Sequence, residues 1–103
     1  MAAEALDAGA FMAAVEALVG RAPELSPLDA GLLAALRFGV AGDTRGFAKV
    51  FGVPHALVLR ATSELSEAFG LVAVTGCDPR TQRTRLELTD AGARLLEGAA
   101  LAA

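Results

Sequence analysis

Two short helical segments separated by a tight, glycine-containing turn constrain this chain more than any other feature of its sequence. A capping residue, Asp43 or Thr44, can begin a first helix, and Gly52 ends it. Pro54 then suits the first position of a second helix that reaches about Phe69. The inner face of that second helix is expected to carry Val53, Val58, Ala61, Thr62 and Leu65. Two short helices joined in this way predict a helix-turn-helix unit.

After Gly70 the apolar period changes from that of a helix to that of a strand. Residues 71–75 and 84–89 form β-type runs, and the second alternates apolar Leu86 and Leu88 with charged Arg85 and Glu87. The segment between the runs is rich in turn-forming residues, namely Gly76, Asp78 and Pro79. The sequence therefore predicts a β-hairpin whose tip, about residues 75–85, is the wing of a winged helix-turn-helix.

Helical patterns flank this unit on both sides. Residues 2–19 predict a first helix, and Ser26 with Pro27 predicts the N-terminus of a second helix, which the glycines at 39–42 end. Thr89 and Asp90 cap a last helix that runs to about residue 102. The predicted fold class is mainly α with a small β-hairpin (α+β). Residues 25–96 form the winged helix-turn-helix domain, 1–24 an N-terminal arm, and 97–103 the end of the last helix.

The distribution of charge is more informative than its sum. The 103-residue chain has a net charge of -3, which by itself argues mildly against a nucleic-acid partner. However, residues 37–85 carry six Arg and one Lys against four acids, whereas both flanking segments are acidic. The basic residues thus lie in the segment where a DNA-binding helix-turn-helix requires them.

Other features limit the cellular setting. No stretch approaches the roughly 20 apolar residues of a membrane span, and Glu4 and Asp7 stand where a signal peptide has basic residues, so we expect a cytoplasmic protein with no membrane partner. The single cysteine, Cys77, agrees with a reducing compartment. Its position in the predicted hairpin turn leaves two interpretations, a redox-sensitive thiol or, more simply, an incidental small residue.

Several segments resemble the MarR family of bacterial transcription regulators, over residues 25–96. The most specific are Asp78-Pro79-Arg80-Thr81-Gln82-Arg83 and Leu86-Glu87-Leu88-Thr89-Asp90-Ala91-Gly92. Further similarities are Leu25-Ser26-Pro27, Phe47-Ala48 through Gly52-Val53, and Gly70-Leu71-Val72. The resemblance implies a wing in which Asp and Arg hold the hairpin and Arg reaches the minor groove. Family members are usually longer, with terminal helices that form a dimer and often a ligand crevice.

The helix over residues 54–69 is the candidate recognition helix, which would enter the major groove of double-stranded DNA. Of its outward residues, His55, Arg60 and Ser63 can hydrogen-bond to a base edge or a phosphate. Leu57 and Leu59 can contact only a thymine methyl. The alternative is a protein–protein interaction module that has lost DNA reading and uses Leu57 and Leu59 to bind a protein partner.

Basic residues outside that helix provide candidate phosphate or minor-groove contacts. Arg80, Arg83 and Arg85 lie near the hairpin turn, and Arg45 and Lys49 lie on the first helix of the motif. A solvated surface is the other interpretation of these side chains, and Asp78 can pair with one of the hairpin arginines. The expected function is therefore a DNA-binding transcriptional regulator.

The terminal helices suggest association. Apolar residues surround the first helix, and small Ala and Gly allow close approach, so we expect a homodimer; the alternative is that both arms pack only onto their own domain. The sequence has no phosphate-cradling glycine loop, and its one His is distant from its one Cys. We therefore expect no enzyme activity, no cofactor and no metal site.

Overall fold

The computed structural model describes residues 8–102 and contains five α-helices and one β-hairpin within that range. In chain order the elements are α1 (Ala8–Arg21), α2 (Pro27–Phe38), α3 (Thr44–Phe51), α4 (His55–Ser63), a π-helical turn (Glu64–Ala68), β1 (Val72–Asp78), β2 (Arg83–Leu88) and α5 (Asp90–Ala102). The predicted fold class, mainly helical with a small hairpin, is confirmed. The predicted start of the first helix, at residue 2, lies outside the described residues.

Side-chain caps and left-handed glycines set the bounds of α2 and α3. The Ser26 hydroxyl accepts from the Asp29 N–H, and the Asp29 carboxylate accepts from the Ser26 N–H, which makes a capping box. Asp43 caps α3 by accepting from the Gly46 N–H at 2.8 Å. Gly52 ends α3 with φ 68°, a conformation that costs other residues free energy.

The candidate recognition helix differs from its predicted form at both ends. Pro54 lies in extended backbone as the N-cap, so α4 begins one residue later, at His55. After Ser63 the backbone widens into the π-helical turn, in which the Phe69 N–H bonds to the Glu64 carbonyl. The inner face is as predicted, since Val58, Ala61, Thr62 and Leu65 are buried, while Val53 is partly buried.

The hairpin is longer than predicted because β1 continues through Asp78. The strands are antiparallel, with Val74 opposite Leu86 and Asp78 opposite Arg83, and a bulge lies between Val74 and Gly76. Residues 79–82 form the tip. Cys77 is therefore an exposed residue of β1 and not part of the turn, which corrects the prediction. Residues 72–88 are called the wing below.

One hydrophobic core joins all the helices to the base of the wing. Leu18, Leu32, Leu33, Phe47, Val58 and Leu65 are fully buried. Phe11 of α1 packs against Phe38 and Phe51, with ring centroids 6.2 Å apart in both pairs. The inner side of α1 is thus part of the same core as the helix-turn-helix, as the alternative interpretation of the arms required.

The junction between the wing and α5 depends on Thr89 and Gly92. The Thr89 hydroxyl accepts from the Gly92 N–H and donates to the Gly70 carbonyl at 2.7 Å. A Cβ on Gly92 would overlap the Leu71 carbonyl oxygen. Only glycine allows α5 to approach Leu71, the residue before β1, this closely.

Candidate nucleic-acid interface

Two arginines hold the wing against the N-terminus of α3. Arg83 pairs with Asp43, with Nη1 2.9 Å from Oδ2. Arg45 reaches the wing tip, where its Nη2 donates to the Thr81 carbonyl at 2.9 Å. Backbone pairing adds to these contacts, because the Leu86 N–H bonds to the Gly42 carbonyl and Asp43 forms a β-bridge with Arg85. The helix-turn-helix and the wing therefore form one continuous surface.

The electrostatics of Asp43 favour its charged form. Burial alone would raise the pKa of this carboxyl, but the Gly46 N–H and the Arg83 guanidinium, with a smaller effect of Arg85, outweigh burial and hold the pKa below its ordinary value. A carboxylate that both caps a helix and pairs with a wing arginine fixes two elements at once.

His55 lies where sequence reasoning placed it, at the start of the recognition helix, but it faces the protein. Its Nε2 is 2.7 Å from Oγ1 of Thr44, and the same oxygen accepts from the Thr84 N–H at 3.0 Å. Thr44 is fully buried, and His55 is partly buried. In this structure His55 therefore joins α3, α4 and the wing, and its Nε2 is not available to read a base.

The other predicted cationic contacts are exposed. Arg80 lies at the wing tip, where its backbone N–H donates to Oδ1 of Asp78, so Asp78 shapes the turn and pairs with no arginine side chain among the described residues. Exposed side chains of Arg60, Ser63, Lys49 and Arg85 lie on α4, α3 and β2. The structure thus brings Arg45 and Arg83 to the contact between α3 and the wing, and it leaves exposed, each on its own element, Arg60, Lys49, Arg80 and Arg85.

Apolar side chains on the same helices are only partly accessible. Leu57 is 44% exposed on α4, and Val50 is 55% exposed on α3. Leu59, the second predicted anchor for a protein partner, is partly buried. Of the two predicted anchors, Leu57 has the more exposed side chain.

A buried acid lies behind the recognition helix. Asp29 is 1% exposed, and its Oδ1 has no hydrogen-bond partner among residues 8–102. Burial raises the pKa of Asp29, hydrogen bonding to Ser26 opposes that rise, and the neighbouring Glu64 carboxyl raises the pKa further. The two acids lie beside Leu57, Arg60 and Ala61 around a small depression of about 170 Å³.

Residues 8–102 contain neither a metal-ligand cluster nor a membrane-spanning helix. No three His, Cys, Asp or Glu side chains come together there as ligands for a metal ion. No helix in that range combines the length and apolar character that crossing a membrane requires.

The helix-turn-helix, held against a β-hairpin that carries basic side chains, defines a winged helix-turn-helix protein. Its structure is similar to that of a transcriptional regulator of the MarR family from Rhodococcus sp. RHA1, with a TM-score of 0.64 and 29% sequence identity. The match covers 90% of this chain and 64% of that regulator, so this chain spans less than two thirds of its length. The predicted resemblance to the MarR family is confirmed. No family model and no curated protein matches the sequence.

Sequence reasoning missed Thr44 and Asp43 as site residues. Both were identified only as candidate caps of α3, because their partners Thr84 and Arg83 lie 40 residues further along the chain. The available sequence signals were Thr44, next to the cap residue Asp43, and the single histidine, His55, at the start of α4. Nothing in the spacing indicates that the two side chains meet.

Proposed function

We propose that this protein is a DNA-binding transcriptional regulator in which α4 enters the major groove and the wing contacts the neighbouring minor groove. Arg60 and Ser63 face the bases or their phosphates, and Arg80 at the wing tip reaches the minor groove. Arg85 and Lys49 bind phosphates. Arg45 and Arg83 hold the wing in place and contribute positive potential beside it.

The observation that carries this proposal is the attachment of the wing to α3 by Asp43–Arg83 and Arg45–Thr81. A hairpin fixed beside a helix-turn-helix presents its tip and the recognition helix to one duplex together. An isolated two-stranded hairpin is only marginally stable in water, and these contacts add to the core packing of Val72 and Leu86 in holding the wing in place. The similarity to a MarR-family transcriptional regulator supports the same function.

Charge reversal at the wing tip tests the proposal. Arg80→Glu is expected to lower affinity for mixed-sequence duplex DNA by at least tenfold, because it removes one phosphate contact and introduces a repelling charge. The matched control is Arg94→Glu on α5, which makes the same change of charge beside Phe69 and Leu71, at the base of the wing and away from its tip. Fluorescence anisotropy gives both affinities, and equal losses in the two variants would reject a specific role for the wing.

A protein-interaction module is the second candidate, and the exposure of Leu57 and Val50 favours it. In that case Leu57→Asp would abolish capture of a partner, and Arg80→Glu would leave it unchanged. If Leu57→Asp left every captured partner in place, this candidate would be rejected.

We also propose that the regulator is a homodimer formed through its terminal helices. Support comes from α1, whose outer side presents Met12, 50% exposed, beside small alanines. A two-fold dimer would place two recognition helices about one helical turn of DNA apart.

A further inference from the structure

In the described part of the chain, one path of side-chain hydrogen bonds joins the wing to the recognition helix, in addition to the apolar core that they share. Arg83–Asp43 and Arg45–Thr81 both connect the wing to α3. Of the side-chain hydrogen bonds made by the wing among the described residues, only the path from Thr84 through the Thr44 hydroxyl to the His55 ring reaches α4. This link therefore sets where the wing lies relative to the helix that would read the bases.

We propose that Thr44 and His55 are positioning residues for DNA binding, which hold the wing at a fixed distance from the recognition helix. The inference rests on the proposed DNA-binding function. It assigns to His55 a role different from base contact, and it gives the buried Thr44 side chain a role in DNA binding.

The hydrogen bonds at the Thr44 hydroxyl indicate the protonation state of His55. The Thr84 N–H donates to the Thr44 oxygen, so that oxygen accepts, and its own proton needs an acceptor. The His55 Nε2 at 2.7 Å supplies one if it carries no proton, which requires the neutral ring with its hydrogen on Nδ1. Were Nε2 protonated, the buried hydroxyl proton would have no acceptor among the residues described, at a cost of about 1–3 kcal/mol.

The charged groups around His55 favour the same state. Arg45 on α3 and Arg83 on β2 face the ring, and Asp43 is the one acid that opposes them. Burial first, then the two arginines, lower the pKa of His55 below its ordinary value. The link is therefore complete above the ordinary histidine pKa, and it weakens as the pH falls toward the lowered one.

Hydrogen exchange tests the link without DNA. Thr44→Val keeps the shape of the side chain but cannot accept, so exchange of the Thr84 amide is expected to rise about fivefold, which corresponds to one lost hydrogen bond. The Leu86 amide, which bonds to Gly42, serves as the internal control. Thr44→Ser keeps the hydroxyl and should behave as the wild type. Unchanged exchange at Thr84 in Thr44→Val would overturn the inference.

A double-mutant cycle tests the positioning role. Thr44→Val is expected to weaken binding to mixed-sequence duplex DNA about fivefold, and to weaken it less than twofold when Arg80→Ala has already removed the wing contact. His55→Phe should follow the same pattern. An equal loss in both backgrounds would mean general destabilisation and would overturn the inference. If the wild-type chain bound no DNA, the proposed function itself would fail, and the exchange measurement, made also on His55→Phe, would decide whether the Thr44 hydroxyl joins the wing to α4.

Discussion

At the residue scale, Asp29 shows how a side chain can stabilise one helix end and still cost free energy. Its Oδ2 accepts from the Ser26 N–H at 3.2 Å, which completes the cap of α2. Its Oδ1 is buried without a hydrogen-bond partner in the described part of the chain, and the Glu64 carboxyl is nearby. Burial and the neighbouring Glu64 carboxyl therefore raise the pKa of Asp29 and favour its protonated form.

Asp29→Asn is expected to raise the free energy of unfolding at pH 7 by roughly 1 kcal/mol, because an amide caps the helix and donates to Glu64 without charge. The pKa of Asp29 is raised in the folded state, so the wild-type chain is most stable below the ordinary Asp pKa and loses this stability as the pH rises through the raised value. The gain should therefore disappear near pH 4. Urea unfolding at both pH values measures it, with exposed Asp90→Asn as the control, and a loss of stability at pH 7 would contradict the assignment.

Individual residues were predictable where their partners are close in sequence. Ser26 was identified as the cap of α2 because its partner is three residues away. The inward side of β2 followed from alternation alone, since Leu86 is buried and Arg85 is exposed. His55 was expected to face DNA because periodicity shows that a side chain leaves the core, but not that a buried hydroxyl from another helix meets it.

At the element scale, the junction of the hairpin with α5 depends on close backbone packing. Gly92→Ala places a methyl group against the Leu71 carbonyl oxygen, whereas Gly98→Ala meets only the end of the flexible Arg21 side chain. Both changes favour the helix intrinsically, by about 1 kcal/mol.

We therefore expect Gly92→Ala to lower the free energy of unfolding by about 2 kcal/mol or more, because the backbone must shift to relieve the overlap. Gly98→Ala should leave it within about 1 kcal/mol of the wild type. Thermal unfolding followed by circular dichroism compares the two variants. Similar Tm values for both would show that α5 does not approach Leu71 as closely as the structure indicates.

The order of elements was predictable from the sequence, but the π-helical turn and the full length of β1 were not. Caps, glycines and the change of apolar period located every helix and strand of the described range. The π-helical turn after Ser63 was missed because Leu65 keeps the apolar period of the preceding helix and is buried in either backbone form. The extension of β1 through Cys77 and Asp78 was missed because Gly76 and Asp78 favour turns, yet here Gly76 lies beside a bulge and Asp78 pairs with Arg83.

At the scale of the whole molecule, the outer side of α1 is available for association. Its inner residues Val15 and Leu18 are buried in the chain's own core, whereas Met12 is half exposed. The proposed subunit contact of the homodimer uses this outer side of α1, where Met12 lies next to the exposed Ala13.

Met12→Glu is expected to convert the proposed homodimer to a monomer, because a charge would be buried without a partner at the subunit contact. Val50→Glu introduces the same charge at a similarly exposed apolar position on α3 and should leave the dimer intact. Light scattering after size exclusion gives the mass of each variant. A wild-type monomer, or an equal effect of both changes, would reject this interface.

The proposed function requires that the surface formed by α3, α4 and the wing bind the phosphate backbone of duplex DNA. Its most direct test is the salt dependence of affinity, measured by fluorescence anisotropy on the wild-type protein with mixed-sequence duplex. Each phosphate contact contributes about −0.9 to the slope of log affinity against log salt concentration, so the exposed cations of one subunit predict a slope of about −3 or steeper. Absence of binding at low salt, or binding with a slope near zero, would contradict the claim.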